Sequence, residues 1–264
     1  VGQPIRDFIY SFHMIMFVMI SGYLYKETVE LKQYVPRKIK ALLLPYLMTN
    51  VISYFVRLFM LHRAGMFTVS GALGILRAQI MTTLGGSSFY AKHFITIETC
   101  GPIWFVTFLF CIVIFYALLN RLRMKNKVVQ DLVYLVVLLS LAWGGKMYAL
   151  YNGFLPWNLD VVPIGMVFYH IGVMVRRYQV LEHIRKYCIW AILLLLWLSL
   201  YPKTGSIIFA TREYLGFPYS ILISVCGSLV VMLAMKELEH VKFVKLPNRF
   251  FAWVGSNSMI ILAI

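Results

Sequence analysis

Apolar residues in this chain come in long runs, and polar or basic residues separate the runs. A helix needs about 20 mostly apolar residues to cross the hydrocarbon layer of a membrane. Gly144, Gly145 and Pro163 interrupt two of the runs. The pattern predicts eight membrane-spanning helices, at residues 8–25, 41–61, 103–120, 129–145, 159–176, 187–202, 218–235 and 250–264.

The composition supports membrane helices over a soluble fold. Hydrophobic residues make up 61% of the 264 residues and charged residues 13%, against about 45–50% and about 25% in soluble domains. Long apolar runs favour helices over the short alternating strands of a membrane β-barrel. The predicted fold class is therefore all-α, a polytopic helical bundle that forms one domain over residues 1–264.

The basic residues are distributed unevenly among the connections that join these helices. Of the 25 Lys and Arg residues, 17 lie in the odd-numbered connections and six in the even-numbered ones. Connections rich in Lys and Arg stay on the cytoplasmic side of a membrane. We therefore expect a multi-pass protein of the plasma (inner) membrane whose residue 1 is extracytoplasmic. Its cytoplasmic connections would be 26–40, 121–128, 176–186 and 236–249.

The two ends of the sequence do not complete this topology. Val1 would start outside the cytoplasm without a preceding span, and the last apolar run stops at Ile264 without a flanking charge. We expect the sequence to be a fragment that is truncated at both ends. At least one span would precede residue 1, and further membrane sequence would follow residue 264.

The net charge of +15 suggests nucleic-acid binding as an alternative function. Basic residues that flank membrane spans account for the charge, and no soluble segment combines basic and aromatic residues as a nucleic-acid platform would. The four cysteines form no CxxC pair, and the sequence has no HExxH, P-loop or GxSxG motif. We therefore expect no metal site, no nucleic-acid partner and no ATP-driven pump.

A histidine inside the first predicted span is a candidate for chemistry. His13 lies about 7–8 Å below the start of that span, at 1.5 Å per residue. Ionisable groups at such positions are costly and are often functional. His13 can hydrogen-bond a neighbouring helix, or it can take or orient a proton during group transfer. Ser21 and Gly22, later in the same helix, would permit close approach of another helix.

A basic cluster and a tryptophan stand at two other helix ends. Arg37, Lys38 and Lys40 precede the second predicted span on its cytoplasmic side. They serve as a topology signal, and they could also bind the phosphates of a nucleotide-bearing donor. Trp104, near the start of the third span, either anchors its helix at the membrane interface or lines a cavity.

The even-numbered connections hold further candidates. Residues 72–84 have apolar residues at three- and four-residue spacing, which predicts an interfacial helix. The aromatic- and Gly-rich segment 151–160 either receives a substrate or only connects two helices. Asp160 is a carboxylate at a helix N-terminus, where it is favoured electrostatically, or a catalytic acid. His170 is expected to be packed and hydrogen-bonded.

Several segments, in this order, resemble the acyltransferase 3 family of membrane-bound acyltransferases. Two of them read F-H-M-I-M-F-V-M-I-S-G-Y at 12–23 and R-K-I-K-A-L-L-L-P-Y at 37–46. A third reads G-P-I-W-F at 101–105. The segments at 157–172, which begins W-N-L-D, and at 253–261, which contains G-S-N-S, are also similar to the family. The closest group looks like the fucose 4-O-acetylase-like acetyltransferases.

The resemblance implies a core of ten helices and transfer of an acyl group, usually acetyl, to a hydroxyl of a cell-envelope saccharide or lipid-linked sugar. Acetyl-CoA would enter from the cytoplasm as a co-substrate, with no permanently bound cofactor. The family's catalytic histidine is expected before residue 1, so the fragment alone should be inactive and His13 would support catalysis. The family's donor motif, R-x-x-R, reads Arg37-x-x-Lys40 here.

The resemblance also implies where the acceptor binds. Trp104, Trp157 and Ser21 belong to the matching segments and would contact the substrate. Asp160 would assist catalysis. Leu109 stands where some relatives carry a Glu five residues after the motif tryptophan, which places the chain away from that branch.

Two other functions are compatible with the same features. The bundle can be a transporter or flippase of a saccharide-linked lipid, or a structural subunit of an envelope-synthesis complex. Membrane lipid is a partner in every case. Only the enzyme should release free CoA from acetyl-CoA in the presence of an acceptor.

Overall fold

The structure is a computed structural model, and it describes residues 8–9, 11–27, 30–86, 91–92, 96–97, 100–153, 155–187, 189–204, 207–214 and 219–240. These residues are mainly helical, which confirms the predicted all-α fold class. The α-helices are α1 His13–Tyr23, α2 Leu31–Lys38, α3 Leu44–Arg63, α4 Val69–Gly85, α5 Trp104–Leu119, α6 Lys127–Asn152, α7 Val162–Arg177, α8 Val180–Lys186, α9 Ile189–Thr204 and α10 Tyr219–His240.

Short elements accompany these helices. A π-helical segment, Ile39–Leu43, joins α2 to α3, and 3-10 turns precede α5 and α7 at Gly101–Ile103 and Pro156–Asn158. Two antiparallel hairpins of two-residue strands pair β1 Ala91–Lys92 with β2 Thr96–Ile97, and β3 Ile207–Ile208 with β4 Glu213–Tyr214.

The described residues fall into two compact units. Unit 1 lies within Val1–Glu27, Leu122–Trp143 and Pro163–Gly255, and unit 2 lies within Thr28–Arg121 and Gly144–Val162. Helix α6 contributes to both units. The single domain that the sequence predicts over residues 1–264 stays a prediction.

The described part of the chain contains five helices that are long and apolar enough to cross a membrane. A sixth span is added if the adjacent helices α8 and α9 are taken together. These six correspond to the second to seventh predicted spans. Within the first predicted span, 8–25, the described residues include the 11-residue apolar helix α1, which is shorter than a membrane span. The eighth, 250–264, lies outside the described residues.

The basic cluster before the second span is helical rather than part of a loop. Leu31–Arg63 forms one continuous helical stretch of 33 residues, whereas the sequence pattern places residues 26–40 in a connection. Pro45 follows the π segment and cannot donate to the carbonyl four residues earlier, with which its ring also clashes in a regular α-helix. A wider π turn just before Pro45 relieves this conflict and lets the helix continue.

Helices α3 and α4 form an antiparallel hairpin in unit 2. The Tyr46 hydroxyl, near the start of α3, donates to the carbonyl of Thr83, near the end of α4, at 2.8 Å. The Thr68 hydroxyl caps the N-terminus of α4 by accepting from the Gly71 amide. Gly86 ends the helix in the left-handed conformation, with φ 52°. The helix predicted at 72–84 is thus present as α4, and it packs along α3; its interfacial position stays a prediction.

Helices α1 and α7 cross with their backbones in contact in unit 1. A Cβ atom added at Gly22 would lie 2.0 Å from the carbonyl oxygen of Tyr169, and one added at Gly172 would lie 2.0 Å from that of Met19. Glycine at both positions therefore lets the two helices approach closely, as small residues do in membrane bundles. Arg176 donates to the carbonyls of Tyr23 and Tyr25 beyond the crossing.

Helices α9 and α10 also pack closely in unit 1. The ring of Trp197 on α9 lies against Gly227 on α10, where an added Cβ would be 2.7 Å from the indole. The indole Nε1 donates to the Ser11 hydroxyl at 3.1 Å. The tryptophan is therefore both an apolar and a hydrogen-bonding link to the segment before α1.

Candidate functional site

His13 is the first residue of α1, and it is half-buried. Its Nδ1 lies 3.0 Å from the carbonyl oxygen of Ile9. Because a carbonyl oxygen only accepts, Nδ1 carries the proton, and in the neutral imidazole Nε2 carries the lone pair. This tautomer is suited to accept a proton or a hydrogen bond through Nε2.

The Ser21 hydroxyl lies on the same helix and donates to the Phe17 carbonyl at 2.9 Å. This bond stays within the helix, as is common for serine in membrane helices. The neighbouring Gly22 provides the close approach to α7 that the sequence predicts for this pair. The substrate contact assigned to Ser21 stays a prediction.

The basic residues Arg37, Lys38 and Lys40 belong to unit 2, where they lie on α2 and the π segment. Arg37 and Lys40 are exposed, and Lys38 is half-buried with its ammonium 5.3 Å from the centre of the Tyr34 ring. The π segment packs against α5, the helix that Trp104 opens. Two exposed cations on successive turns are accessible to an anionic ligand.

Unit 2 places Trp104 and Trp157 around the C-terminal end of α4. Trp104 is buried. The hydroxyl of Thr107, one turn later, lies 2.9 Å from the Trp104 carbonyl and 3.3 Å from the Gly86 carbonyl. The Trp157 indole donates to the Leu84 carbonyl at 2.8 Å. The Trp157 ring thus contacts the end of α4 directly, and the Trp104 backbone is linked to it through Thr107.

Trp157 and the following residue adopt a rare backbone conformation. Trp157 has φ 56° and Asn158 has φ 54°, both in the left-handed region. Two such non-glycine residues cost about 1–3 kcal/mol each, and surrounding bonds hold them in place. The Asn158 amide donates to the Gly86 carbonyl at 3.1 Å. Both side chains therefore satisfy carbonyls at the end of α4, which have no partner within the helix.

Asp160 is buried, and its carboxylate closes the turn that carries Trp157. The Asp160 Oδ1 accepts from the Leu155 amide at 3.3 Å. Its backbone carbonyl lies against Gly145 on α6, where an added Cβ would be 2.2 Å away. These contacts give Asp160 a structural role in shaping the tryptophan turn, and its catalytic role stays a prediction.

We expect Gly145→Ala to destabilise the tryptophan turn. The new methyl group would overlap the Asp160 carbonyl, at a cost of about 1–3 kcal/mol. The neighbouring Gly144 has nothing within 4 Å of an added Cβ, so Gly144→Ala is the matched control. The apparent unfolding temperature in detergent should fall for Gly145→Ala and stay equal or rise for Gly144→Ala. Equal temperatures for the two variants would contradict the close approach.

A buried charge cluster in unit 1 was not predicted from the sequence. Arg177, at the end of α7, pairs with both Asp131 and Glu27. Asp131 is buried on α6 and also accepts from the Tyr178 hydroxyl at 2.8 Å, a bond that raises the pKa of the tyrosine. His170 is fully buried with Nε2 3.1 Å from the Asp131 carbonyl, which confirms the packed, hydrogen-bonded histidine.

The sequence signals for this cluster were a carboxylate just inside an apolar run and two arginines at the end of another. The arginines count as an ordinary topology signal, and a single carboxylate does not indicate its partner. The cluster ties α6 and α7 to Glu27, which follows α1, the helix that begins with His13. Among the described residues, no group of three or more His, Cys, Asp and Glu side chains could hold a metal ion.

Comparison with protein families matches residues 1–264 to the family described as an acyltransferase domain. The chain belongs to the acyltransferase 3 family. Neither the search of curated proteins nor the search of solved structures gave a match. The family match and the apolar helices together make the protein a multi-pass membrane acyltransferase 3 protein. The resemblance found in the sequence motifs is thus confirmed at the level of the family.

Proposed function

We propose that this acyltransferase 3 protein transfers an acyl group, acetyl, from acetyl-CoA to a hydroxyl of a cell-envelope saccharide or lipid-linked sugar. The match of the family over the whole chain carries this proposal. The resemblance of its motifs to fucose 4-O-acetylase-like acetyltransferases supports acetyl as the group and a sugar as the acceptor. The plasma membrane, with Arg37 on its cytoplasmic side, gives access to cytoplasmic acetyl-CoA.

For the donor, we assign the phosphates of CoA to the basic cluster. Arg37 and Lys40 are exposed on successive turns of one helical stretch, and Lys38 lies between them. The planar guanidinium of Arg37 suits a bidentate phosphate contact, and Lys40 provides a point charge. Acetyl-CoA is a substrate here and leaves as CoA after each transfer.

For the acceptor, we assign His13 the role of orienting the reacting hydroxyl through Nε2. The hydroxyl oxygen forms the ester bond with the thioester carbonyl carbon, the carbon–sulfur bond breaks, and the hydroxyl proton passes to the departing CoA thiolate, which leaves as the thiol. In unit 2, Trp104 and Trp157 would line the sugar site, with Asp160 holding the turn.

Radiolabelled acetyl-CoA tests the reaction. Membranes that contain the protein at its natural length are mixed with labelled acetyl-CoA and the saccharide fraction of the cell envelope. We expect label in the saccharide and an equal amount of free CoA thiol. A transporter or flippase would leave the acetyl-CoA intact, and that result would overturn the proposed enzyme.

We expect His13→Ala to lower acetyl transfer by about tenfold, the scale of one lost hydrogen bond that orients the hydroxyl. His183 is a matched control, because it is exposed and its Nδ1 makes the same local bond, 3.0 Å from the Gln179 carbonyl. His183→Ala should retain wild-type activity. Activity of His13→Ala within twofold of wild type would remove His13 from the site.

A further inference from the structure

Helix α4 buries a polar face and exposes an apolar one. Gln79 and Thr82 are three residues apart, so they share one side of the helix, and both are buried. Gly86, which ends the helix, is also buried. The opposite side carries the exposed residues Leu73, Leu76, Ile80 and Leu84. This arrangement suits a helix that faces lipid on one side and a polar region of unit 2 on the other.

The polar face continues onto α3 through two side-chain amides. The Asn50 Nδ2 donates to the Tyr46 carbonyl at 2.9 Å, and the Gln79 Nε2 donates to the Asn50 Oδ1 at 2.9 Å. The Tyr46 carbonyl can only accept, so the amide nitrogen of Asn50 must face it. The Asn50 oxygen then faces Gln79, which must turn its own nitrogen toward Asn50. The relay thus fixes the orientation of both amides.

The consequence is an acceptor atom without a donor. The Gln79 Oε1 is buried and has no hydrogen-bond partner among the residues that the structure describes. Buried amide oxygens are almost always hydrogen-bonded, since an unmade bond is costly. A carbonyl oxygen in an uncharged relay is suited to a neutral donor such as a hydroxyl.

The position of this oxygen relates it to Trp157. Gln79 lies about 10 Å along α4 from Gly86, at 1.5 Å per residue. Gly86 in turn lies beneath the Trp157 ring, where an added Cβ would be 2.8 Å from the indole. One buried helix face therefore carries a free amide acceptor at one end and an aromatic ring at the other.

We propose that the Gln79 Oε1 accepts a hydrogen bond from a sugar hydroxyl, so that Asn50 and Gln79 form a saccharide-binding subsite in unit 2. This inference rests on the proposed function, because it takes the sugar acceptor as the ligand. Asn50 is a positioning residue that orients the Gln79 amide. The alternative is that the amides only hold α3 and α4 together, as polar side chains often do in membrane bundles.

Sugar binding without acetyl-CoA distinguishes the two roles. The natural-length protein is placed in phosphatidylcholine nanodiscs, whose lipid offers no hydroxyl, and saturation-transfer NMR measures binding of methyl α-D-glucopyranoside and methyl α-L-fucopyranoside. We expect the wild type to bind at least one of them. The dissociation constant should rise about fivefold or more in Gln79→Leu, the factor for one lost hydrogen bond.

Two further variants separate binding from folding. Asn50→Leu/Gln79→Leu removes both amides, so no polar atom of the pair stays unpaired, and we expect an unchanged unfolding temperature with weakened sugar binding. Gln130 is a matched control, because its amide bonds both the Tyr134 hydroxyl and the Met124 amide. Gln130→Leu should lower the unfolding temperature and leave sugar binding unchanged.

Equal sugar binding in the wild type and Gln79→Leu, or no binding of either glycoside by the wild type, would overturn the subsite. Displacement of the glycoside by phosphatidylglycerol would assign the hydroxyl to a lipid headgroup and overturn the sugar assignment. The release of CoA decides the proposed function separately. Dependence of binding on Gln79 without CoA release would keep the subsite and reject the enzyme.

Discussion

Gly172→Ala should leave little folded protein, and Gly22→Ala should have the same effect. At each position the new methyl carbon would lie 2.0 Å from a backbone carbonyl oxygen of the facing helix. A backbone atom cannot move aside as a side chain can, so α1 and α7 would have to separate. We expect each substitution to cost about 3 kcal/mol or more. In an ordinary helix the same change is stabilising by about 0.5–1 kcal/mol.

Gly74→Ala is the matched control for these two variants. Gly74 also lies inside a helix, α4, and an added Cβ there has nothing within 4 Å. The measurement is the yield of monodisperse protein in size-exclusion chromatography together with the apparent unfolding temperature. Gly74→Ala should equal or exceed the wild type in both. Gly22→Ala and Gly172→Ala proteins as stable as Gly74→Ala would show that α1 and α7 are not in backbone contact.

Arg177→Met should also destabilise the protein strongly. Arg177 is the cation between Asp131 and Glu27, and the Asp131 carboxylate is only 2% exposed. Removal of the guanidinium leaves that carboxylate buried and uncompensated, which costs about 3–5 kcal/mol. The Tyr178 hydroxyl would still donate to Asp131, but a single neutral donor does not replace the lost charge.

An exposed pair on the neighbouring helix provides the comparison. Arg185 on α8 lies 3.0 Å from Glu237, and the two side chains are 54% and 43% exposed. Exposed ion pairs contribute about 0–1 kcal/mol, so Arg185→Met should change the unfolding temperature little. If the unfolding temperature fell by a similar amount in Arg177→Met and Arg185→Met, the Asp131 carboxylate would have to be solvated. Asp131→Asn combined with Arg177→Met should recover part of the loss, because no buried charge then remains.

The hydropathy pattern predicted the positions of most of the helices, but the exact helix ends depend on the local residues. The predicted spans 103–120 and 218–235 correspond closely to Gly101–Leu119 and Tyr219–Leu238. The helix that contains the second predicted span, 41–61, begins at Leu31, because a π turn lets one helix continue through the Lys/Arg cluster and Pro45. The 72–84 helix was anticipated from its periodicity, although not its partner.

Some residues of the candidate site could also be predicted from the sequence, and others could not. His13 and Asp160 could be selected from the sequence, because an ionisable residue in or beside an apolar run is unusual. Trp104 and Trp157 could be selected because they lie in the segments that resemble the family. Asn50 and Gln79 gave no such signal. One amide within a span is most often simple packing, and the bond between them depends on how α3 and α4 are aligned.

The sequence by itself determined an all-helical membrane protein of the acyltransferase 3 family, because hydropathy and family motifs are properties of contiguous residues. Only the tertiary structure decided which residues meet. Gly22 faces Tyr169, Arg177 pairs with Glu27, and Gln79 bonds Asn50. Such pairs are far apart in the chain, and the energy of each arises only when helix packing removes both partners from solvent or lipid, which no local pattern encodes.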